Sequence, residues 1–179
     1  GDIWLDVLDR YAVEIASEHL SDITGIKLQP SVLDNREVYA DLKTLDLSDQ
    51  TLLVNVSGHE LSEIKPIIGK FLNLDVKRLV LQLGFQSYPT KLKDTSLNKI
   101  AVLRNTFPKQ LLCFADHCDG QHAFAFRIPL LATVLGCDFI EKHVCLSRAE
   151  AEYDFHSALE VSELQVLASE LELAATCFA

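Results

Sequence analysis

Five short apolar segments punctuate this chain, and each is followed by a stretch with helical spacing. The segments are residues 26–28, 51–56, 78–83, 111–115 and 137–142. The stretches with helical spacing are 36–45, the run marked by Leu61, Ile64, Ile67, Ile68 and Phe71, the run marked by Leu97, Ile100, Ala101 and Leu103, and then 121–135 and 160–175. Ahead of the first segment, Trp4, Leu8, Tyr11, Ile15 and His19 recur at helical intervals and predict a helix over 3–23, stopped by Gly25. Strands that alternate with helices pair in parallel through right-handed crossovers. Two architectures satisfy that constraint. One is a complete five-stranded doubly wound sheet of flavodoxin type. The other is part of a (β/α)8 barrel, which needs about 250 residues in full. Both bind ligands at the C-terminal ends of their strands.

Composition narrows the setting. The chain has 179 residues, 49% of them hydrophobic and 23% charged, so it can bury a core and is not globally disordered. No apolar run approaches the roughly 20 residues of a membrane span, and the longest, 128–136, is interrupted by Pro129 and Thr133. The first residues have neither the basic segment nor the apolar stretch of a secretory signal. The cysteines number five, an odd count that suits reduced thiols and a cytoplasmic protein. The absence of methionine and the start at Gly1 read as a processed or partial polypeptide.

The formal net charge of −10 argues against nucleic-acid binding. The charge is uneven, however. Between Lys65 and Lys109 nine Lys/Arg face only Asp75 and Asp94. Solvated helix faces explain such a stretch, and so does attraction of a small anion.

The strand ends carry polar groups in a repeated placement. Lys27 and Ser31 follow the first, Ser57-Gly58 the second, Gln86 and Tyr88 the third, Asp116-His117 the fourth, and Glu141-Lys142-His143 the fifth. Alternate residues of a strand share a face, so Cys113, Ala115 and His117 point one way, and Glu141 shares a face with His143. Neighbouring parallel strands lie about 4.8 Å apart. Two imidazoles at adjacent ends could therefore hold one divalent metal with open positions. The same region allows a structural zinc reading from Cys113, His117, Cys118, Cys137, His143 and Cys145, although the spacings are not paired knuckles. Lys27, Ser31 and Ser57-Gly58 suit an anion; for Ser57 a helix cap is the competing reading.

Several of these segments together resemble the sialic acid synthase family, which includes N-acetylneuraminate synthases and spore-coat polysaccharide biosynthesis proteins. The resemblance lies in Phe114-Ala115-Asp116-His117, in Leu135 through His143 with its Ile140-Glu141-Lys142-His143 core, and in Asp154 through Leu159. Upstream it extends to Ile26-Lys27-Leu28-Gln29-Pro30-Ser31, to Ser57 through Ile64, and to Gln86-Ser87-Tyr88-Pro89-Thr90. It covers about Ile26 to Leu164.

The resemblance implies a (β/α)8 TIM-barrel fold of which only strands 4–8 are present, with 1–179 forming one partial barrel domain without the family's small antifreeze-like domain. The early strands that carry the family's catalytic glutamate and a phosphate-binding lysine lie outside this chain. The implied activity is a metal-assisted condensation of phosphoenolpyruvate with an N-acetylated amino-sugar aldehyde. In that scheme His117 and His143 hold Mn2+ or Mg2+. Lys27, Ser31 and Ser57 grip phosphoenolpyruvate, Gln86 and Tyr88 form its binding loop, and Asp154 binds sugar hydroxyls. An arc of strands leaves two open sheet edges, so a homo-oligomer is expected. The chain departs from the family pattern at Ala115, which replaces a serine, and at Gln86, Gln29-Pro30, Val144-Cys145 and Tyr153. Those departures make a non-catalytic relative that binds metal or a sugar phosphate the second expectation.

Overall fold

The computed structural model describes residues 2–177. The chain divides into two compact units, one ending at Gln82 and one starting at Leu83.

In the first unit, four parallel strands lie side by side in chain order: β1 (Trp4–Val7), β2 (Gly25–Leu28), β3 (Thr51–Asn55) and β4 (Arg78–Leu83). Helices α1 (Arg10–Glu18), α2 (Arg36–Leu42) and α3 (Leu61–Leu72) connect them. All five residues of β3 are buried, as a parallel strand covered on both faces must be. The sequential order excludes the doubly wound alternative, whose chain would reverse direction after its second strand.

The helix expected over 3–23 does not form as one element: a strand precedes a shorter helix, Arg10–Glu18. The first residues of the expected helix form β1, which pairs with β2 from Trp4↔Gly25 to Val7↔Leu28. Asp9 starts the helix by accepting the Ala12 N–H at 2.9 Å. Val7 is fully buried on the strand, whereas Leu8 and Tyr11 are exposed, so the apolar spacing that suggested one long helix joined two elements. The chain therefore has one more parallel strand at its start than the five expected.

In the second unit, β5 (Leu111–Asp116) pairs in parallel with β6 (Phe139–Lys142), and Asp116 is the register partner of Lys142. Helices α4 (Asn98–Thr106) and α5 (Phe124–Val134) precede and follow β5. A short parallel pair, β7 (Val144–Cys145) with β8 (Leu159–Glu160), leads into α6 (Val161–Thr176). Ala125, Leu159 and Leu167 form a buried cluster that seats α6 on α5. Glu163 secures the start of α6 by accepting the Glu160 N–H at 2.8 Å and pairing with Arg148. Among the described residues no helix is long and apolar enough to cross a membrane.

Most of the basic stretch lies on exposed positions. Two of its members are structural. Lys70 donates to the Leu33 carbonyl beneath the Tyr39 ring, and Arg104 ties α4 to Gly136 and Asp138.

Candidate functional site

At the strand ends of the first unit, the polar groups bind one another. Asp6 and Lys27 are register partners on β1 and β2, and the ammonium lies 3.3 Å from the carboxylate. Gln29 donates to Asp6 at 2.8 Å and accepts from Asn55 at 3.1 Å. Asn55, fully buried at the end of β3, in turn accepts the Ser57 N–H at 3.0 Å. The Ser57 hydroxyl is buried with no hydrogen-bond partner. Ser31 is exposed on a 3-10 turn, Pro30–Val32.

Ser57 does not cap α3. That role falls to Glu60, in a capping box with Glu63, so two carboxylates occupy the helix start expected to offer amides to an anion. Sequence reasoning also missed Asp6 and Asn55. The unusual Gln29 is the residue that links them.

The second unit brings five of the expected residues together: Gln86, Tyr88, His117, His143 and Asp154. The ring centroids of His117 and His143 are 5.1 Å apart and nearly perpendicular. Tyr88 packs against both, at 4.5 Å from His117 and 5.3 Å from His143, and its hydroxyl donates to Gln86 at 2.7 Å. Asp154 lies 3.5 Å from His143 Nδ1. It is presented by a left-handed backbone, φ 52°, which costs energy for a residue with a side chain.

His117 is 3% exposed, with Nδ1 3.0 Å from the Phe85 carbonyl. A carbonyl only accepts, so Nδ1 carries the proton and Nε2 holds the lone pair. Burial pushes the His117 pKa below the usual imidazole range, outweighing the hydrogen bond to Phe85 and the nearby Glu141 and Asp116 carboxylates, so the ring is neutral. The loop that supplies Phe85 is tied down from the other side by Thr90, whose N–H donates to the His117 carbonyl at 2.8 Å.

Two imidazoles on neighbouring strand ends, with His117 neutral, suit a divalent ion that keeps its other positions for solvent or substrate. Among the described residues no group of three or more His, Cys, Asp or Glu side chains is placed to hold a metal, so the six-residue zinc set does not form. Its thiols are also poorly suited: burial pushes Cys118 up to about 11 and Cys137 up to about 12. Sequence reasoning did not single out the buried pair beneath the histidines, Asp116 and Lys142, which meet at 2.7 Å.

Parallel strands with helical crossovers and a histidine pair at adjacent strand ends define a class of α/β proteins with a strand-end site. A profile of the NeuB family matches residues 35–178, and the chain belongs to that family. N-acetylneuraminate-9-phosphate synthase of Drosophila melanogaster is 33% identical over 166 residues, covering 93% of this chain and 42% of that protein. Pseudaminic acid synthase of Campylobacter jejuni is 28% identical over 81 residues, covering 45% of this chain and 22% of that protein.

Among solved structures, N-acetylneuraminic acid synthetase of Leptospira borgpetersenii superposes with a TM-score of 0.82 at 21% identity, covering 97% of this chain and 57% of that one. A truncated 3-deoxy-D-arabino-heptulosonate 7-phosphate synthase of Thermotoga maritima gives 0.79 at 12% identity, covering 99% and 66%. These likenesses place the chain in the α/β fold of those proteins. The chain spans less than half the length of each of the curated relatives above.

Proposed function

We propose that the protein joins phosphoenolpyruvate to an N-acetylated amino-sugar aldehyde, giving a sialic-acid-like nonulosonic acid for surface polysaccharide synthesis. The observation that carries this reading is the His117–His143 pair in a chain of this family. In the reaction, the methylene carbon of phosphoenolpyruvate bonds to the aldehyde carbon, water adds to the neighbouring carbon, and inorganic phosphate leaves.

His117 and His143 would hold the divalent ion through Nε2, and nitrogen donors favour Mn2+ over Mg2+. When bound, the ion would polarise the aldehyde. The Phe85 carbonyl holds the His117 ring in the tautomer that leaves Nε2 bare. Tyr88 walls the imidazoles on one side, and Gln86 fixes the Tyr88 hydroxyl. Asp154 would accept from sugar hydroxyls. Lys27, Ser31 and Ser57 would take the acid groups of phosphoenolpyruvate, with the unpartnered Ser57 hydroxyl the best-supported donor of the three. The family's catalytic glutamate would come from outside this chain. Such an enzyme works in the cytoplasm and as a homo-oligomer.

The test uses the full-length protein with phosphoenolpyruvate, Mn2+ and a panel of N-acetylated amino sugars. Phosphate release that needs both sugar and metal is expected, and none across the panel refutes the reading. Ala115 favours a second reading. It is buried on β5, and its methyl group offers no donor where the family pattern has a serine. A protein that binds Mn2+ and phosphoenolpyruvate tightly in calorimetry, with no turnover, would be a binding member of the family.

A further inference from the structure

We infer that the buried Asp116–Lys142 ion pair is a positioning device that sets the spacing and orientation of His117 and His143. This rests on those histidines forming the metal site proposed above.

Strand register links the pair to the histidines. Asp116 and Lys142 are partners across β5 and β6, and each is followed directly by one of the histidines. Fixing this pair therefore fixes the position of the next residue on both strands. The pair is short and dry: Lys142 Nζ lies 2.7 Å from Asp116 Oδ2, and the side chains are 3% and 2% exposed.

The same two side chains also grip the peptide on the far side of His117. Asp116 Oδ1 accepts the Cys118 N–H at 2.9 Å, and Lys142 donates to the Cys118 carbonyl at 3.4 Å. His117 thus stands between two residues locked to β6. Its own carbonyl is held by Thr90 and its ring by Phe85.

Stability alone does not account for such a pair. Removing two charges from water costs about as much as their attraction returns, and apolar residues of similar volume often serve as well or better. Apolar side chains would lack the directional contacts that fix Cys118 and, through it, His117. The ion pair supplies geometry that packing would leave loose.

The test compares Asp116→Asn, Lys142→Met and the double variant Asp116→Leu/Lys142→Met in the full-length protein. The double variant removes both charges together and leaves neither buried alone, so it keeps a foldable core if either single change does not. Two readouts are needed besides melting: Mn2+ affinity by electron paramagnetic resonance, and imidazole 15N shifts of His117 and His143 without metal. The expected result is a folded variant with Mn2+ binding weakened about 10–100-fold and a His117 signal averaged between tautomers. A folded double variant with wild-type Mn2+ affinity and wild-type imidazole shifts overturns the inference. If the wild-type protein binds no Mn2+, the metal reading under Proposed function fails. The 15N shifts alone then decide whether the pair orients the rings.

Discussion

The strand ends of the two units are built from the same βα rhythm and hold their polar residues differently. In the first unit Asp6, Lys27, Gln29, Asn55 and the Ser57 amide are tied to one another. In the second, the ties reach the ring of His117 at Nδ1 and its backbone, and Asp154 lies near Nδ1 of His143, so both rings are held from one side. Polar residues at a strand end do not by themselves define reactive groups. What distinguishes the second unit is that its restraints act on the positions of two donors and do not consume them.

The largest expected effect follows directly. His117→Ala with His143→Ala should abolish Mn2+ binding in a metal titration, whereas Lys27→Ala should leave it intact. Mn2+ affinity that survives the double change would place the metal elsewhere, and loss in Lys27→Ala would erase the distinction between the two units.

Next in size is Gly120→Ala. A Cβ at Gly120 would sit 2.0 Å from the Ala158 carbonyl oxygen, a backbone atom that cannot step aside alone. The Gly120 N–H also donates to the His156 carbonyl, which ties this turn to the loop bearing Asp154. Overpacking of this kind costs about 1–3 kcal/mol, or roughly 2–12 °C of melting temperature for a chain of this size. An unchanged melting temperature would mean the two segments do not pack this closely.

The parts of this arrangement that local sequence encodes were readable in advance. The apolar segment 51–56 marked a strand of a parallel sheet, and the Asp116-His117 and Glu141-Lys142-His143 segments marked strand ends. The start of the chain was misread because Trp4, Leu8, Tyr11 and Ile15 match a helical period even though the chain changes from strand to helix at Asp9. Nothing within the helical pattern signals that change except Asp9 itself. The links from Asp6 to Gln29 and from Asp116 to Lys142 were not legible for a different reason. They depend on which residues of separate strands fall into register, and spacing along one segment carries no such information. Glu60 displaced Ser57 as the cap of α3 because Glu63 lies three residues further on and completes a reciprocal pair.

The pH dependence of stability should also separate the units. Burial lowers the pKa of His117 in the folded protein. Between that lowered value and the ordinary imidazole value of about 6.5, the unfolded chain binds the proton more readily. Stability from this group is therefore complete above about 6.5 and declines as pH falls toward the folded value, below which it changes no further. Urea unfolding of the metal-free protein at several pH values should show this decline, and His117→Gln should flatten it. Equal pH slopes in both proteins would show that His117 does not carry the effect.

The smallest expected effect is a gain in the first unit. Gly69 lies inside α3, is exposed, and has no atom within 4 Å of where a Cβ would stand. Its backbone is helical, so alanine restricts the unfolded chain without straining the folded one. Gly69→Ala should add about 0.5–1 kcal/mol of stability, measured as a higher urea midpoint with an unchanged slope. Mn2+ affinity should stay at the wild-type value, because α3 lies outside the unit that holds the two histidines. A Gly69→Ala protein with altered Mn2+ affinity would show that the histidine site depends on more than the restraints within its own unit.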